Sequence, residues 1–146
     1  MPVARCTVDV DASPEALMAV ITDFSAYPSF LPEMEEATVL RYDGQVWIVR
    51  FALRVLRRLD YTLRLEARSP TVLRWSLVEG AFKANNGGWD LTPLGEGDRT
   101  RADYHVDLDV GTFVPGSLMK TLVHSSLPAT LAAFKKEAEA RWISAR

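Results

Sequence analysis

The sequence predicts an α+β fold in which one curved antiparallel sheet wraps a long C-terminal helix. Two observations carry this. Between Glu35 and Asp109 apolar and polar residues alternate in short runs separated by turn residues, the period of half-buried strands. After Pro115 the period changes: Leu127, Leu131, Phe134, Ala138 and Trp142 recur at intervals of four, three, four and four, one stripe of a helix. Lys135, Lys136, Glu139 and Arg146 lie opposite that stripe. A helix from about Ser117 to Ser144 would span roughly 40 Å, the width of a small domain.

Taken in order, Val3 to Asp11 places Cys6, Val8 and Val10 on one face and Arg5, Thr7, Asp9 and Asp11 on the other, a half-buried strand. Ser13-Pro14-Glu15 reads as N-cap, first-turn proline and first-turn acid, so a helix is predicted over roughly Pro14 to Thr22 with Leu17, Val20 and Ile21 buried. Asp23 to Pro32 is broken by Pro28 and Pro32 and predicts a short second helix or turn presenting Phe24, Tyr27 and Phe30. Asp43-Gly44 predicts a two-residue hairpin turn between strands over Glu35 to Tyr42 and Gln45 to Val55.

On the second of these, Trp47, Val49, Phe51, Leu53 and Val55 share a face. Leu59, Tyr61, Leu63 and Leu65 repeat the pattern, and Leu73, Trp75 and Leu77 are the inner set of the next strand. Asn85-Asn86-Gly87-Gly88 interrupts Phe82 to Pro93 and fits either a hairpin turn or a bulge in one long strand. Trp89 and Leu91 share a face beyond it, and Thr100 to Asp109 turns Ala102, Tyr104, Val106 and Leu108 inward. The count is about seven strands, two short helices after the first of them, and one long helix whose middle Pro128 should kink.

Composition narrows the function. With 146 residues and 48% hydrophobic content the chain can bury a proper core as a single domain, residues 1–146. Seventeen Lys and Arg against 19 Asp and Glu leave a net charge of -2, no electrostatic footprint for nucleic acid. The longest apolar run, Ala16 to Ile21, is far short of a membrane span, and Met1 to Asp11 has no signal-peptide pattern, so a cytoplasmic protein is expected. One cysteine excludes an intramolecular disulfide and a cysteine-rich metal site. Neither His105 nor His124 has partners at metal-ligand spacing, no nucleophile elbow or phosphate loop is present, and no metal or cofactor is implied.

The inward set is rich in large rings: Trp47, Phe51, Tyr61, Trp75, Trp89, Tyr104 and Phe134. Such a set fits a packed core or, because a wide sheet folded over one helix encloses more volume than these rings fill, a cavity for an apolar ligand. Its polar anchors would come from Tyr61, Tyr104, Asn85 or Ser76. The front of the last helix, with Phe113, Val114, Leu118, Met119, Leu122 and Val123, is apolar nearly all round and suggests a movable lip facing Tyr27 and Phe30. Candidate ligand-binding residues are therefore Tyr27, Phe30, Val49, Phe51, Tyr61, Leu63, Trp75, Asn85, Trp89, Tyr104, Leu118, Met119 and Leu122. Arg54, Arg57 and Arg58 around Leu56 make a hairpin tip suited to solvent or to transient contact with an anionic membrane or a partner.

Three pieces carry a resemblance: Ala12-Ser13-Pro14-Glu15 after the opening strand, the segment Asp23-Phe24-Ser25-Ala26-Tyr27-Pro28-Ser29-Phe30-Leu31-Pro32, and Gly80-Ala81-Phe82-Lys83 followed by Gly88-Trp89-Asp90-Leu91-Thr92-Pro93. In this order and spacing the chain resembles the polyketide cyclase and coenzyme Q-binding protein branch of the START-like (SRPBCC) superfamily. The resemblance implies the helix-grip fold, strand order 1-7-6-5-4-3-2, and a bulge at Asn85 to Gly88. It also implies a lipid, quinone or polyketide-like ligand between sheet and helix. Some members are cyclases or aromatases, and one branch is implicated in ribosome association as a toxin. A cyclase would place acid, base or arginine groups inside its cavity, whereas the alternation turns Arg50, Arg54, Arg64, Arg101 and Asp103 outward, which favours a non-enzymatic binder.

Overall fold

A computed structural model describes residues 3–111 and 116–145. Phe113 and Val114 fall outside this range, and with them that part of the expectation for the helix front. The seven strands are β1 (Val3–Val10), β2 (Met34–Tyr42), β3 (Val46–Val55), β4 (Arg57–Ser69), β5 (Val72–Gly80), β6 (Ala84–Leu94) and β7 (Arg99–Asp109). They form one antiparallel sheet in the order β1-β7-β6-β5-β4-β3-β2, as the resemblance implies. Chain neighbours pair as hairpins from β2 through β7, and only β1 crosses over, to lie against β7.

Two short helices follow β1. Helix α1 (Pro14–Ile21) begins where Ser13 Oγ accepts a hydrogen bond from the Ala16 N–H at 3.1 Å, with Pro14 supplying a preset φ where no donor is needed. It stops at Thr22, whose hydroxyl donates to the Met18 carbonyl at 2.8 Å. A 3₁₀ turn (Phe24–Ala26) and a single turn of α2 (Tyr27–Phe30) deliver Phe24 and Tyr27 to the interior.

The hairpin between β2 and β3 differs by one residue from its prediction. Tyr42 pairs with Trp47, and the Asp43 N–H donates to the Val46 carbonyl, so Gly44 and Gln45 occupy the turn. Asp43 instead caps it, its carboxylate accepting from the N–H groups of Gln45 and Val46, which holds that carboxyl below its ordinary pKa. Gly44 has φ +100°, the left-handed region the turn requires.

Asn85 to Gly88 forms neither a hairpin nor a bulge. Strand β6 runs unbroken from Ala84 to Leu94 and keeps one continuous register with β7, from Ala84↔Asp109 to Leu94↔Arg99. A Cβ on Gly87 would come within 2.2 Å of the His105 carbonyl oxygen and 2.9 Å of the Trp75 ring. One on Gly88 would come within 2.5 Å of the Leu73 carbonyl oxygen. The glycines therefore serve close approach of the neighbouring strands and of Trp75, a strand role for glycine that needs no turn.

The last helix is interrupted where Pro128 predicts. Helix α3 (Gly116–Thr121) passes into a π-helical turn (Leu122–Ser126) before α4 (Leu127–Ala145), and the Leu127 N–H reaches back to the Leu122 carbonyl. Proline has no N–H to give and its ring crowds the carbonyl four residues earlier, so a widened turn is a low-cost accommodation. In α4 the stripe faces inward: Leu131, Phe134 and Ala138 are buried, and Leu127 and Trp142 are half-buried against them. Lys135, expected on the far side, reaches back to the Asp9 carbonyl at 2.9 Å and to Glu139 at 2.6 Å.

The alternation holds across the sheet. Arg50, Arg54, Arg64 and Arg101 are exposed, and Asp103 accepts from the Thr7 hydroxyl on the outer face. At the β3–β4 tip Arg54 pairs with Glu35, and Arg58 with Glu35, Glu36 and Asp60, while Leu56 stands out at φ +64°.

Candidate functional site

The inner face and the helix do not close on one another everywhere. Between them lies a cavity of about 730 Å³, walled by inward residues of β3 to β7, by α2 and the chain that follows it, and by the C-terminal helix. A volume of this size suits a small organic ligand, and its walls are mostly apolar, as such sites generally are.

Aromatic rings form a belt around it. Trp89 lies between Tyr104 and Phe134, with ring centroids 5.0 and 5.3 Å away, and Phe134 meets Tyr27 and Phe30 at 5.3 and 5.4 Å. Tyr27 stacks on Phe51, Phe51 on Tyr61, and Tyr61 meets Phe82 edge-on at 5.0 Å. These edge-on and stacked pairs each contribute about 0.5–1.5 kcal/mol beyond area burial, enough to hold the wall in place around open space. Gly87 gives Trp75 its place in that wall. With no Cβ in the way the indole lies close over β6, and its Nε1–H donates to Asn85 Oδ1 at 3.1 Å.

The polar groups differ in how they are used. The Tyr27 hydroxyl donates to the Ile21 carbonyl, which ties α2 to α1. Tyr61 and Tyr104 have no hydrogen-bond partner among the described residues, and burial pushes both phenols above their ordinary pKa, so both stay protonated. Half-exposed Glu33 accepts from the Ser126 hydroxyl at 3.1 Å, joining the chain after α2 to the π-helical turn. Glu137 is held by Arg141, which also reaches Asp23 at 3.0 Å.

Ten of the thirteen residues singled out from the sequence line the cavity: Tyr27, Phe30, Phe51, Tyr61, Leu63, Trp75, Asn85, Trp89, Tyr104 and Leu122. Three do not. Val49 is fully buried in packed core, because the Phe24 ring covers its flanking inward residues Trp47 and Phe51. Leu118 is sealed one turn before Leu122, off the cavity wall, and Met119 is turned round the helix and half-buried. Ser76, offered as an anchor, is exposed on the outer face of β5.

The turns expected to form a lip supply Thr121, Leu122, Val123, Ser125 and Ser126 to the cavity wall. Tyr27 and Phe30 face Phe134 on α4, which lines the wall from Leu127 through Ala133, Phe134 and Glu137 to Ala140. Phe82, Leu65, Leu73, Val106 and Leu108 were missed as wall residues. The inward alternation of the four strand residues was visible in the sequence, but alternation does not separate wall from filled core, and Phe82 lies between β5 and β6.

Outside the cavity, His105 sits half-buried on the outer face, 3.9 Å from Asp90, its pKa lowered by burial and by Arg74 more than Asp90 restores it. His124 is exposed and Cys6 half-buried. Among the described residues no three His, Cys, Asp or Glu side chains converge to hold a metal, and no helix is long and apolar enough to cross a membrane.

A curved seven-stranded sheet gripping a C-terminal helix over an apolar cavity is the helix-grip architecture of START-like proteins. The sequence profile of the polyketide cyclase / dehydrase and lipid transport family matches residues 10–135, and the chain belongs to that family. It is similar to the persistence and stress-resistance toxin PasT of Escherichia coli, 31% identical over 110 residues that cover 75% of this chain and 69% of that protein. The ribosome association toxin RatA of Escherichia coli is 29% identical over the same shares.

Among solved structures, an aromatase/cyclase, Zhui, from a Streptomyces species superposes with a TM-score of 0.84 at 22% identity, covering 96% of this chain and 94% of that one. A START superfamily protein from Mycobacterium smegmatis superposes with a TM-score of 0.81 at 23% identity over 99% of both. At these identities the structural likeness speaks for the fold.

Proposed function

We propose that this protein binds and carries an apolar small molecule, of the lipid, quinone or polyketide-like kind, in the cavity between sheet and C-terminal helix, without transforming it. The observation that supports this most is the cavity itself, about 730 Å³ of space walled by Tyr27, Phe51, Trp75, Trp89, Phe134 and their neighbours. The family's description as polyketide cyclase / dehydrase and lipid transport fits such a ligand. On this reading the ten wall residues named above are the binding site, and residues 1–146 act as one ligand-binding unit in the cytoplasm.

A cyclase would need an acid or base directed inward. The carboxylates on the wall, Glu33 and Glu137, are half-exposed and engaged by Ser126 and Arg141, which weighs toward carriage.

Native mass spectrometry of the purified protein, followed by organic extraction, tests the proposal. A bound apolar molecule, or one taken up from added lipid extract and released by denaturation, is the expected result. Protein that neither retains nor acquires such a molecule would overturn it.

The 31% identity to PasT and the 29% identity to RatA favour a second reading, in which the chain acts by contacting the ribosome. The β3–β4 tip, with exposed Leu56 beside Arg57, is then the surface to vary. Co-sedimentation with ribosomal particles in a sucrose gradient, lost in Leu56→Asp, is the outcome this reading predicts.

A further inference from the structure

Trp75 fixes which way the Asn85 amide points. An indole N–H can only donate, so the amide oxygen faces it at 3.1 Å and the Asn85 NH₂ is left with its protons free. Asn85 is 6% exposed, and no described residue accepts from that nitrogen. On the same wall stand the phenol of Tyr61, 8% exposed, and that of Tyr104, each without a hydrogen-bond partner among the described residues. Tyr27, equally buried, shows the contrast, since its hydroxyl is taken by the Ile21 carbonyl.

The donors are neighbours. Tyr104 and Asn85 both contact the Trp75 indole, and Tyr61 lines the same cavity. Among the described residues the only buried side-chain polar atom without a partner is Asp107 Oδ1, so these three donors open onto the cavity space, and an apolar ligand that displaces water from them leaves them unpaired unless it brings an acceptor. Negative charge on the ligand would not be matched, because among the described residues the one cation on the wall is Lys136, exposed on α4.

We infer that the cavity selects an uncharged apolar molecule carrying a carbonyl-type oxygen, and that Tyr61, Tyr104 and Asn85 are the donors that recognise that oxygen. The inference rests on the ligand-binding reading of the cavity and adds the chemistry of what it holds. A fully reduced hydrocarbon would leave three donors unpaired, and a carboxylate would be buried without a counter-charge.

Displacement of the neutral fluorophore N-phenylnaphthylamine by three molecules of one ring frame tests this: fluorene, fluorenone and fluorene carboxylate. Fluorenone is expected to compete about tenfold more strongly than fluorene, the value of one or two well-made hydrogen bonds, and the carboxylate more weakly than fluorenone. In the Tyr61→Phe/Tyr104→Phe double variant the rings remain, and the advantage of fluorenone over fluorene, measured as a ratio within that variant, falls to about onefold.

Should the double variant fail to fold, Tyr104→Phe alone is expected to lose severalfold of that advantage. Equal competition by fluorenone and fluorene, an advantage that survives loss of the hydroxyls, or a carboxylate that competes best would each overturn the inference while the cavity remains a binding site. A fluorophore that does not bind at all would instead remove the ligand-binding reading beneath it.

Discussion

Two ends of the same sheet differ in what lies on them. Under α1 and the turn after it, Leu17, Ile21 and Phe24 are sealed to within 1% of full burial, and Val10, Val49 and Leu131 beside them are as tightly enclosed. Thr100 joins them by donating its hydroxyl to the Ala12 carbonyl at 2.8 Å. Farther along the same inner faces, Phe51, Tyr61, Leu63, Trp75 and Trp89 are as apolar and nearly as dry, yet border open volume. Composition does not separate the two ends. At one, α1 and α4 descend onto β1, β6 and β7 together; at the other, the cover is carried by rings that touch one another instead of the space beneath them. Leaving water and filling space are distinct requirements, and alternation encodes the first alone.

Paired truncations should break this comparison most clearly. Leu17→Ala removes a side chain from filled core and is expected to cost about 4 kcal/mol, the transfer cost plus a new void. Leu63→Ala adds its void to space already open, so about 2 kcal/mol of transfer cost is expected. Urea unfolding of both variants measures the gap, and equal losses would mean that the hollow end is as solid as the other.

Next in size is Gly87→Ala. Its methyl group would meet the His105 carbonyl and the Trp75 ring, so a loss of about 1–3 kcal/mol is expected, together with a shifted tryptophan emission as the indole leaves its seat. Unchanged emission would show that Trp75 does not depend on that glycine.

Filling the hollow end should spare the fold and block the cavity. Ala133→Trp places a large ring on the cavity wall; stability within about 1 kcal/mol of the parent and at least tenfold weaker N-phenylnaphthylamine binding are expected. Binding that persists would locate the fluorophore outside the cavity.

The smallest effect belongs to the outer face. The His105 pKa is lowered in the fold from the ordinary 6.5, so below about pH 6.5 the unfolded chain takes up a proton that the folded one resists. Stability present above that pH is lost as pH falls toward the folded pKa. In His105→Gln the thermal midpoint should therefore decline less steeply between neutral pH and about pH 5, measured by circular dichroism, and a parallel decline would assign the acid sensitivity elsewhere.

Much of this architecture was legible because local chemistry wrote it. Ser13-Pro14-Glu15 starts α1 through a cap that needs no tertiary help, and period-two alternation sorted the inner and outer faces of β3, β4 and β7 correctly. Pro128 announced the break that became a π-helical turn. The misreadings share a cause. Asn85 to Gly88 was read as punctuation because glycine pairs usually bend a chain, whereas here they admit Trp75 and neighbouring backbone, a demand set by residues far away in sequence. Val49 and Leu118 were assigned to the cavity because inward and apolar was all the pattern could say.

The sequence by itself therefore determined which side chains leave water, where α1 starts and the last helix is interrupted, and that one helix would be gripped by one sheet. Each of these follows from interactions within a few residues or from a simple periodicity. Only the tertiary structure decided where the gripped space is filled and where it stays open, because that depends on how far α1 reaches across the sheet and on which rings meet. It also decided which phenol is bonded within the protein, Tyr27, and which have no partner among the described residues, Tyr61 and Tyr104, since a hydroxyl's partner is set by proximity in space and not by its neighbours in the chain.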